Sequence, residues 1–575
     1  RQHFPKGYSD TLPKLLKGPL SGLPRVYHIA IELIAHSDGR VDPDNLTAFV
    51  QAYQKASPLN LGELWAIPIM LRMALIENLR RLAAQMALNR INNNLADTWA
   101  DRMIDIAEKD PKSLIVATAD MARSNPPMTS SFVAEITRRL LGKGPALTLP
   151  LTWIEQRLAE NGLTTNGLIL EETQKKAAAQ VSMSNNISSL RMLNSMDWRA
   201  FVENTSLVEK ILRRDEVYSR MDFQTRDVYR HKIEAFAKLS NRSEKEVASR
   251  VFALTKKRGE DPSLNARLRH VGYYLIDKGL RETEQTLGIR YPWFASLKRS
   301  LYGSPLLIYV GSILIISICL SFLLVLRVRA EGLSMGWMIV MAVVALIIMS
   351  QLAIAVVNWL STILVKPDFL PRMNYETAIP PESKTLVVVP TMIGSQAEIE
   401  ALLETMEVRY LANRQDHLHY ALLTDFRDAS TEKREGEDTM LAFAQQRVDE
   451  LNEKYRHEAY DIFFLFHRPR RWNEVDQTWM GHERKRGKLA DLMDLLRGSG
   501  KEKFQTIVGD ISVLQEAKYI LTLDTDTQLP RDAAWKIIAT MAHPLNQAWF
   551  DQKKNRIVEG YGILQPRLAT SISPD

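Results

Sequence analysis

At 575 residues, 46% of them hydrophobic and 25% charged, the chain is too long for a single core and ordinary for globular domains, so two or three domains are expected. The formal charge of +7 is spread thinly, with no basic helix or nucleic-acid motif to concentrate it, which argues against a nucleic-acid partner. The single cysteine, Cys319, excludes an internal disulfide and a cysteine-built zinc site, and its apolar surroundings read as those of a buried inert thiol. No secretory signal pattern begins at Arg1, and the sequence reads as a piece of a longer protein.

Residues 1–300 read as an α-helical region. Leu61 to Ala87 is strongly apolar on one side, but Glu63, Arg72, Glu77, Arg80 and Arg81 point to a buried or interfacial helix rather than a span. Leu264, Leu268, Val271 and Leu275 are spaced as one helix face. Ser243 with Glu246 forms a capping-box pattern ahead of Val247 and Val251. The stretch VYSRMDFQTRDVYRHK, 217–232, reads as a solvated helix face.

Residues 305–326 carry no charge and, at about 1.5 Å each, reach about 33 Å, enough for a transmembrane helix. A second uncharged run begins at Leu333 and gives a second span over 335–365. The short linker makes the pair a hairpin with both outer ends on one side. Arg290, Lys298, Arg299, Lys366 and Arg372 flank those ends, against Arg327 and Arg329 in the linker, a slight bias towards cytoplasmic outer ends.

From 383 onward short apolar runs alternate with helical stretches, the pattern of an α/β layer with a mostly parallel sheet. Strands are expected at 386–390, 420–426, 461–468, 518–526 and 558–566, with the apolar run Ile520 to Leu523 of the fourth read as buried, and a helix over 394–413. Ligands of open α/β sheets bind beyond the carboxyl ends of the strands. Pro390 and Thr391 end the first strand, Asp425 the second, and Asp524 with Asp526 the fourth. In a strand, residues i and i+2 point the same way, so both carboxylates are expected to face one point and to attract a cation. Lys485, Arg486 and Lys488 surround Gly487 ahead of a helix, where an anion is favoured. These parts fit a nucleoside diphosphate: Asp425 for base or ribose, Lys485 for phosphate, and Asp524 with Asp526 for Mg²⁺ or Mn²⁺. Singly, each of these signals is more often a turn, cap or solvated loop. Trp472 and Trp479 offer faces on which sugar rings stack, with ordinary packing the alternative.

That ordered set resembles the nucleotide-sugar half of a processive glycosyltransferase with a GT-A-like fold. LNLGELWAIPIMLRMALIENLRRLA (59–83), LVVVPTM (386–392), RKRGKLADL (484–492) and ILTLDTDTQLPRDAAWKIIATMAHPLN (520–546) look like the N-terminal portion of bacterial cyclic β-1,2-glucan synthases. The resemblance implies a multi-pass protein of the bacterial inner membrane with its glycosyltransferase domain in the cytoplasm. It implies an inverting enzyme that polymerises glucose from UDP-glucose into a β-1,2-glucan carried on the synthase and later cyclised. Its partners would be UDP-glucose, the growing glucan chain, the lipid bilayer and the remainder of the synthase polypeptide. Carried over residue by residue, Asp524 and Asp526 match the D-x-D that holds metal and diphosphate. Asp425 matches the acid at the uridine, with Pro390 and Thr391 beside the uracil, and Lys485 matches the lysine near the phosphates. Between Asp526 and Asp575 nothing matches the family's general base or its acceptor motif, so both are expected beyond Asp575 and residues 383–575 read as the donor-binding half. The alternatives are a synthase of another β-linked polysaccharide and a membrane-anchored nucleotide-sensing scaffold.

Overall fold

The computed structural model describes residues 10, 12–259, 266–289, 291, 304–330, 332, 334–365, 369–455 and 460–567. The chain divides into two compact units, residues 1–211 with 243–248, and residues 212–242 with 249–575. Residues 212–242 and the described residues from 249 to 289 therefore group with the sheet rather than with the helices before them.

The first unit is helical and organised along one helix, Leu61–Lys109, of 49 residues. A capping box starts it: the Asn60 amide donates to Glu63 Oε2 at 2.9 Å. The same buried carboxylate takes Nε and Nη2 of Arg25, both at 2.7 Å, so its charge is paired inside the core. The apolar side expected over 61–87 is buried only as far as Leu75; beyond it Ile76, Met86, Leu88 and Ile91 face outward. Burial resumes with Ala96, Ala100 and Met103, which join a second core around Phe132, Ile136 and Ile154.

In the second unit two expectations fail. Residues 217–232 are not a solvated face: Tyr218, Tyr229, Thr225 and Arg230 are all buried. The charges punctuate the stretch, but Tyr218 and Tyr229, on two successive helices, pack inward. Leu268, Val271 and Leu275 do not share one helix either. The chain forms Ala266–Arg269 and Val271–Ile276, broken at His270, whose backbone is extended. Leu264 lies outside the described residues. In the first unit's segment 243–248 the Ser243 cap is present, its hydroxyl accepting from the Glu246 amide at 3.2 Å.

The helices Pro305–Ala330 and Met335–Leu364 are long and apolar enough to cross a bilayer. They pack on each other through small residues, with Ser317, Ser321, Ala345 and Ala353 buried, and Tyr309 Oη donates to Asn358 Oδ1 across the hairpin at 2.8 Å. Their large apolar side chains, among them Leu306, Ile315, Trp337 and Ile347, point outward, the reverse of a soluble core helix. Cys319 shares that outward surface, so it is exposed rather than a buried thiol. Arg372 does not stand as a free flanking charge: its Nε pairs with Asp222 Oδ2 at 2.6 Å. The flanking charges Arg290, Lys298, Arg299 and Lys366 lie outside the described residues.

The α/β layer holds β1 (Thr385–Ile393), β2 (Leu418–Phe426), β3 (Phe463–Arg468), β4 (Arg471–Asn473), β5 (Thr478–Met480), β6 (Thr506–Val508), β7 (Tyr519–Thr522), β8 (Trp549–Asp551) and β9 (Arg556–Glu559). The main sheet has the order β6-β3-β2-β1-β7, parallel except for β6. The near-continuous apolar runs of β1, β2 and β3 follow from burial on both faces. Leu492 and Leu495 of the helix Arg484–Leu496 pack onto Phe464 and Phe466 of β3, and Gln396–Ala412 connects β1 to β2. Two expectations change here. β7 is an edge strand among the described residues and only half-buried, not enclosed. Residues 558–566 add no strand to the sheet; β9 pairs with β8 in a separate hairpin.

Candidate functional site

The site is built at the carboxyl ends of β1, β2, β3 and β7. Pro390 sits in a central strand, where its missing N–H would normally leave a gap in the ladder. Here it does not. The Leu523 amide donates to Val388 O at 2.9 Å, which makes Val388 the last β1 residue held by β7. Two residues on, Pro390 faces the edge that β7 has already left. Thr391 follows, partly exposed.

Asp425 ends β2 and is paired in register with Arg468 of β3. It is 3% exposed. Arg468 grips it with a fork, Nε to Oδ1 at 2.9 Å and Nη2 to Oδ2 at 3.0 Å. Lys488 Nζ approaches Oδ2 at 2.9 Å and also donates to the Thr391 carbonyl at 2.6 Å. The remaining guanidinium nitrogen of Arg468 donates to Asp491 Oδ2 at 2.6 Å. Two acids and two bases thus share one buried network, and each charge has a partner, the condition under which burial is tolerated. Burial pushes the Lys488 ammonium below its ordinary value while Asp425 pulls it back. Burial also raises the Asp491 carboxyl, but Arg468 and Lys503 outweigh it and hold it below the usual range. Gly481 passes so close that a Cβ there would lie 2.3 Å from Asp425 Oδ2, so no larger residue fits.

Lys485 is not in a turn ahead of a helix. With Arg486, Gly487 and Lys488 it forms the first turns of the helix Arg484–Leu496. The entry is tight: Glu483 and Arg484 have φ of 51° and 47°, a left-handed region that side chains rarely adopt. A Cβ on Gly487 would come within 2.1 Å of the His482 carbonyl. This entry swings the exposed Lys485 ammonium onto the carboxylate of Asp524, the first of the two aspartates.

Asp524 and Asp526 lie beyond the end of β7, in an exposed turn, so strand alternation does not aim them. What shapes the turn is Arg409, from the helix after β1. Its Nη2 donates to the carbonyls of Asp524, Thr525 and Thr527 at 3.0, 2.9 and 2.8 Å. Burial lowers the Arg409 guanidinium, with Asp526 opposing. The carbonyls are drawn inward and both carboxylates are left in solvent.

Among the expected residues, Lys485 and Asp524 meet directly, and Asp425 is tied to Thr391 through Lys488. Asp526 stands beside Asp524 in the same turn without a cationic side chain bonded to it among the described residues. Arg409 and Arg468 gave no sequence signal, and Lys488 was read only as one cation of the run around Gly487, because their partners are distant in the chain. Among the described residues no cluster of three or more His, Cys, Asp or Glu stands together. Two exposed carboxylates of hard oxygen do suit Mg²⁺ or Mn²⁺, which take most of their ligands from phosphate and water, but not a cage made by protein alone.

No protein-family model matches the chain. Over its whole length it is 31% identical to the cyclic beta-(1,2)-glucan synthase NdvB of Rhizobium meliloti (strain 1021), and it spans about 20% of that relative's length. The resemblance to cyclic glucan synthases read from four short stretches therefore extends across all 575 residues.

Proposed function

We propose that this chain is the nucleotide-sugar-binding part of a membrane-bound glucan synthase, an inverting glycosyltransferase that extends a β-1,2-glucan from UDP-glucose. The observation that carries the reading is the pairing of Lys485 with Asp524, with Asp526 in the same turn, at the strand ends that also hold buried Asp425, in a chain similar throughout to a cyclic glucan synthase. The α/β layer is read as GT-A-like on the same ground.

Asp425 still has one free acceptor position after Arg468 and Lys488 are counted, enough for a single hydrogen bond from the nucleoside. Thr391 and Pro390 would line the base. Asp524 and Asp526 would hold Mg²⁺ or Mn²⁺, whose Lewis-acid charge offsets that of the leaving diphosphate when the ion is bound. Lys485, exchanging Asp524 for phosphate, supplies a second preorganised charge. The acceptor 2-hydroxyl attacks the anomeric carbon opposite the diphosphate, so the α-linked donor yields a β link. The base that takes its proton is expected beyond Asp575. UDP-glucose is a cytoplasmic metabolite, so the sheet would face the cytoplasm, with the apolar hairpin in the bacterial inner membrane.

The test is Asp526→Asn in the complete synthase, measured by glucose incorporation from UDP-glucose. Loss of incorporation with retained folding is expected. Near wild-type incorporation refutes the metal role. Donor binding by the unaltered synthase with no turnover would favour a nucleotide-sensing scaffold, and product linkage analysis separates β-1,2-glucan from another β-linked polysaccharide.

A further inference from the structure

At the entry to the helix Arg484–Leu496 lies an open cleft of about 550 Å³ that the donor reading leaves unused. One wall is the β4–β5 hairpin, in which Trp472 and Trp479 are register partners with rings edge to face at 5.9 Å. Trp479 is held by backbone bonds in both directions with Ala429, at 2.9 Å, so the hairpin is fastened to the loop after β2. Trp472 is 47% exposed, a large apolar face left open in a polar setting. The opposite wall is the helix entry, His482 to Arg484.

We infer that this cleft binds a neutral glucan chain, one pyranose ring lying on the face of Trp472. The C–H groups of a pyranose carry partial positive charge and suit the negative face of an indole, whereas its hydroxyls need hydrogen-bonding partners at the rim. The rim supplies them: among the described residues the side chains of Arg471, Glu474 and His482 make no hydrogen bond within the protein. Asn473 instead fixes the hairpin, accepting from the Val475 amide at 3.0 Å and donating to Asp476 Oδ2 at 2.8 Å. Charge selects against a nucleotide. The charged residues lining the cleft, Arg471 and Arg484 against Glu474, Asp476 and Glu483, sum to one negative charge, and Arg484 is itself bonded to Asp428 Oδ2 at 2.9 Å, so the cleft offers a diphosphate no surplus of cations, which a neutral sugar does not need. Arg484 lines the cleft and Lys485 follows it in the same helical turn on Asp524, so a chain held here lies next to the proposed donor position. The choice of a glucan, rather than another neutral saccharide, rests on the proposed function.

The experiment compares Trp472→Ala and Trp472→Phe in the full-length synthase, held in a sugar-free amphiphile. Calorimetry measures affinity for linear β-1,2-linked gluco-oligosaccharides and, separately, for UDP-glucose. Trp472→Ala should weaken oligosaccharide binding by about tenfold, ~1.4 kcal/mol, with Trp472→Phe restoring most of it and UDP-glucose affinity unchanged. Oligosaccharide affinity unaffected by Trp472→Ala, or no oligosaccharide binding by the unaltered protein, overturns the inference. So does a parallel loss of both affinities with a lowered melting temperature, which would make Trp472 merely a brace of the hairpin. Failure of the unaltered protein to bind UDP-glucose refutes the donor reading instead, and the oligosaccharide measurements still decide the cleft.

Discussion

Arg409→Met isolates the part of the site that shapes the aspartate turn. In the native protein one nitrogen, Nη2, reaches three carbonyls, of Asp524, Thr525 and Thr527. It has two hydrogens, so the three contacts amount to about two charge-assisted bonds, ~3–6 kcal/mol at ~1.5–3 each. Most of this does not appear as lost stability. Asp524 and Thr525 are exposed, and water replaces the guanidinium at their carbonyls. The substitution also removes a 3% exposed cation whose Nε has no partner among the described residues, so its desolvation cost is recovered. The net loss of stability should be small, on the order of 1–2 kcal/mol. The turn itself is another matter. Once released, it must be ordered again by the ligand, at ~1–2 kcal/mol per residue. Ordering one to two residues, ~1–4 kcal/mol, lowers UDP-glucose affinity by about fivefold to a thousandfold. Calorimetry of UDP-glucose binding, beside a thermal melt of the same preparation, reads both quantities. A large fall in melting temperature with affinity kept within about twofold would refute the reasoning, because Arg409 would then be a core residue and not the support of the turn.

Gly481→Ala should destabilise the α/β layer and abolish donor binding, because its Cβ would stand 2.3 Å from Asp425 Oδ2; a normal melting curve contradicts this. Cys319, the single cysteine, should resist a charged maleimide in intact membranes and be labelled after unfolding in detergent, and rapid labelling in intact membranes refutes a lipid-facing position. His231 is raised to about 9 chiefly by its hydrogen bond to Asp227, and Glu234 lowered to about 2 chiefly by its hydrogen bond to His231. A raised histidine stabilises fully below its unfolded value near 6.5 and loses that contribution as pH climbs through about 9. A depressed carboxylate stabilises fully above its unfolded value near 4.5 and loses that contribution as pH falls through about 2. Chemical denaturation of wild type and His231→Gln across pH 6 to 10 should therefore give a shallower alkaline decline for the variant; parallel curves refute it.

The strands LVVVP, YALLTDF and FFLF were legible because a parallel strand covered on both faces must be apolar throughout. β6 was not, since three residues at the antiparallel edge carry no periodic signal. β7 was found but misjudged, because its apolar run looks the same whether a neighbour covers it or not. At the site, single residues at strand ends could be read, and their pairing could not. Asp425 is visible as an acid after a strand. That Arg468, 43 residues on, and Lys488 bury its charge depends on the register of β2 with β3 and on where one helix begins. Arg409 is silent for the same reason, sitting 115 residues before the turn it supports. Residues 217–232 misled because charge density was taken as exposure, although Tyr218 and Tyr229 carry the packing.

Residues 371–374, between the apolar hairpin and the sheet, are not a loose tether. The Asn374 amide donates to Arg220 O at 2.8 Å, the Met373 amide to Ala539 O at 3.1 Å, and Asn546 Nδ2 to Pro371 O at 2.7 Å. Within four residues, the strap is riveted to the flanking helices on one side and, on the other, to the helix that follows the aspartate turn. A displacement of residues 371–374 therefore loads that helix directly and reaches the strand ends as mechanical strain.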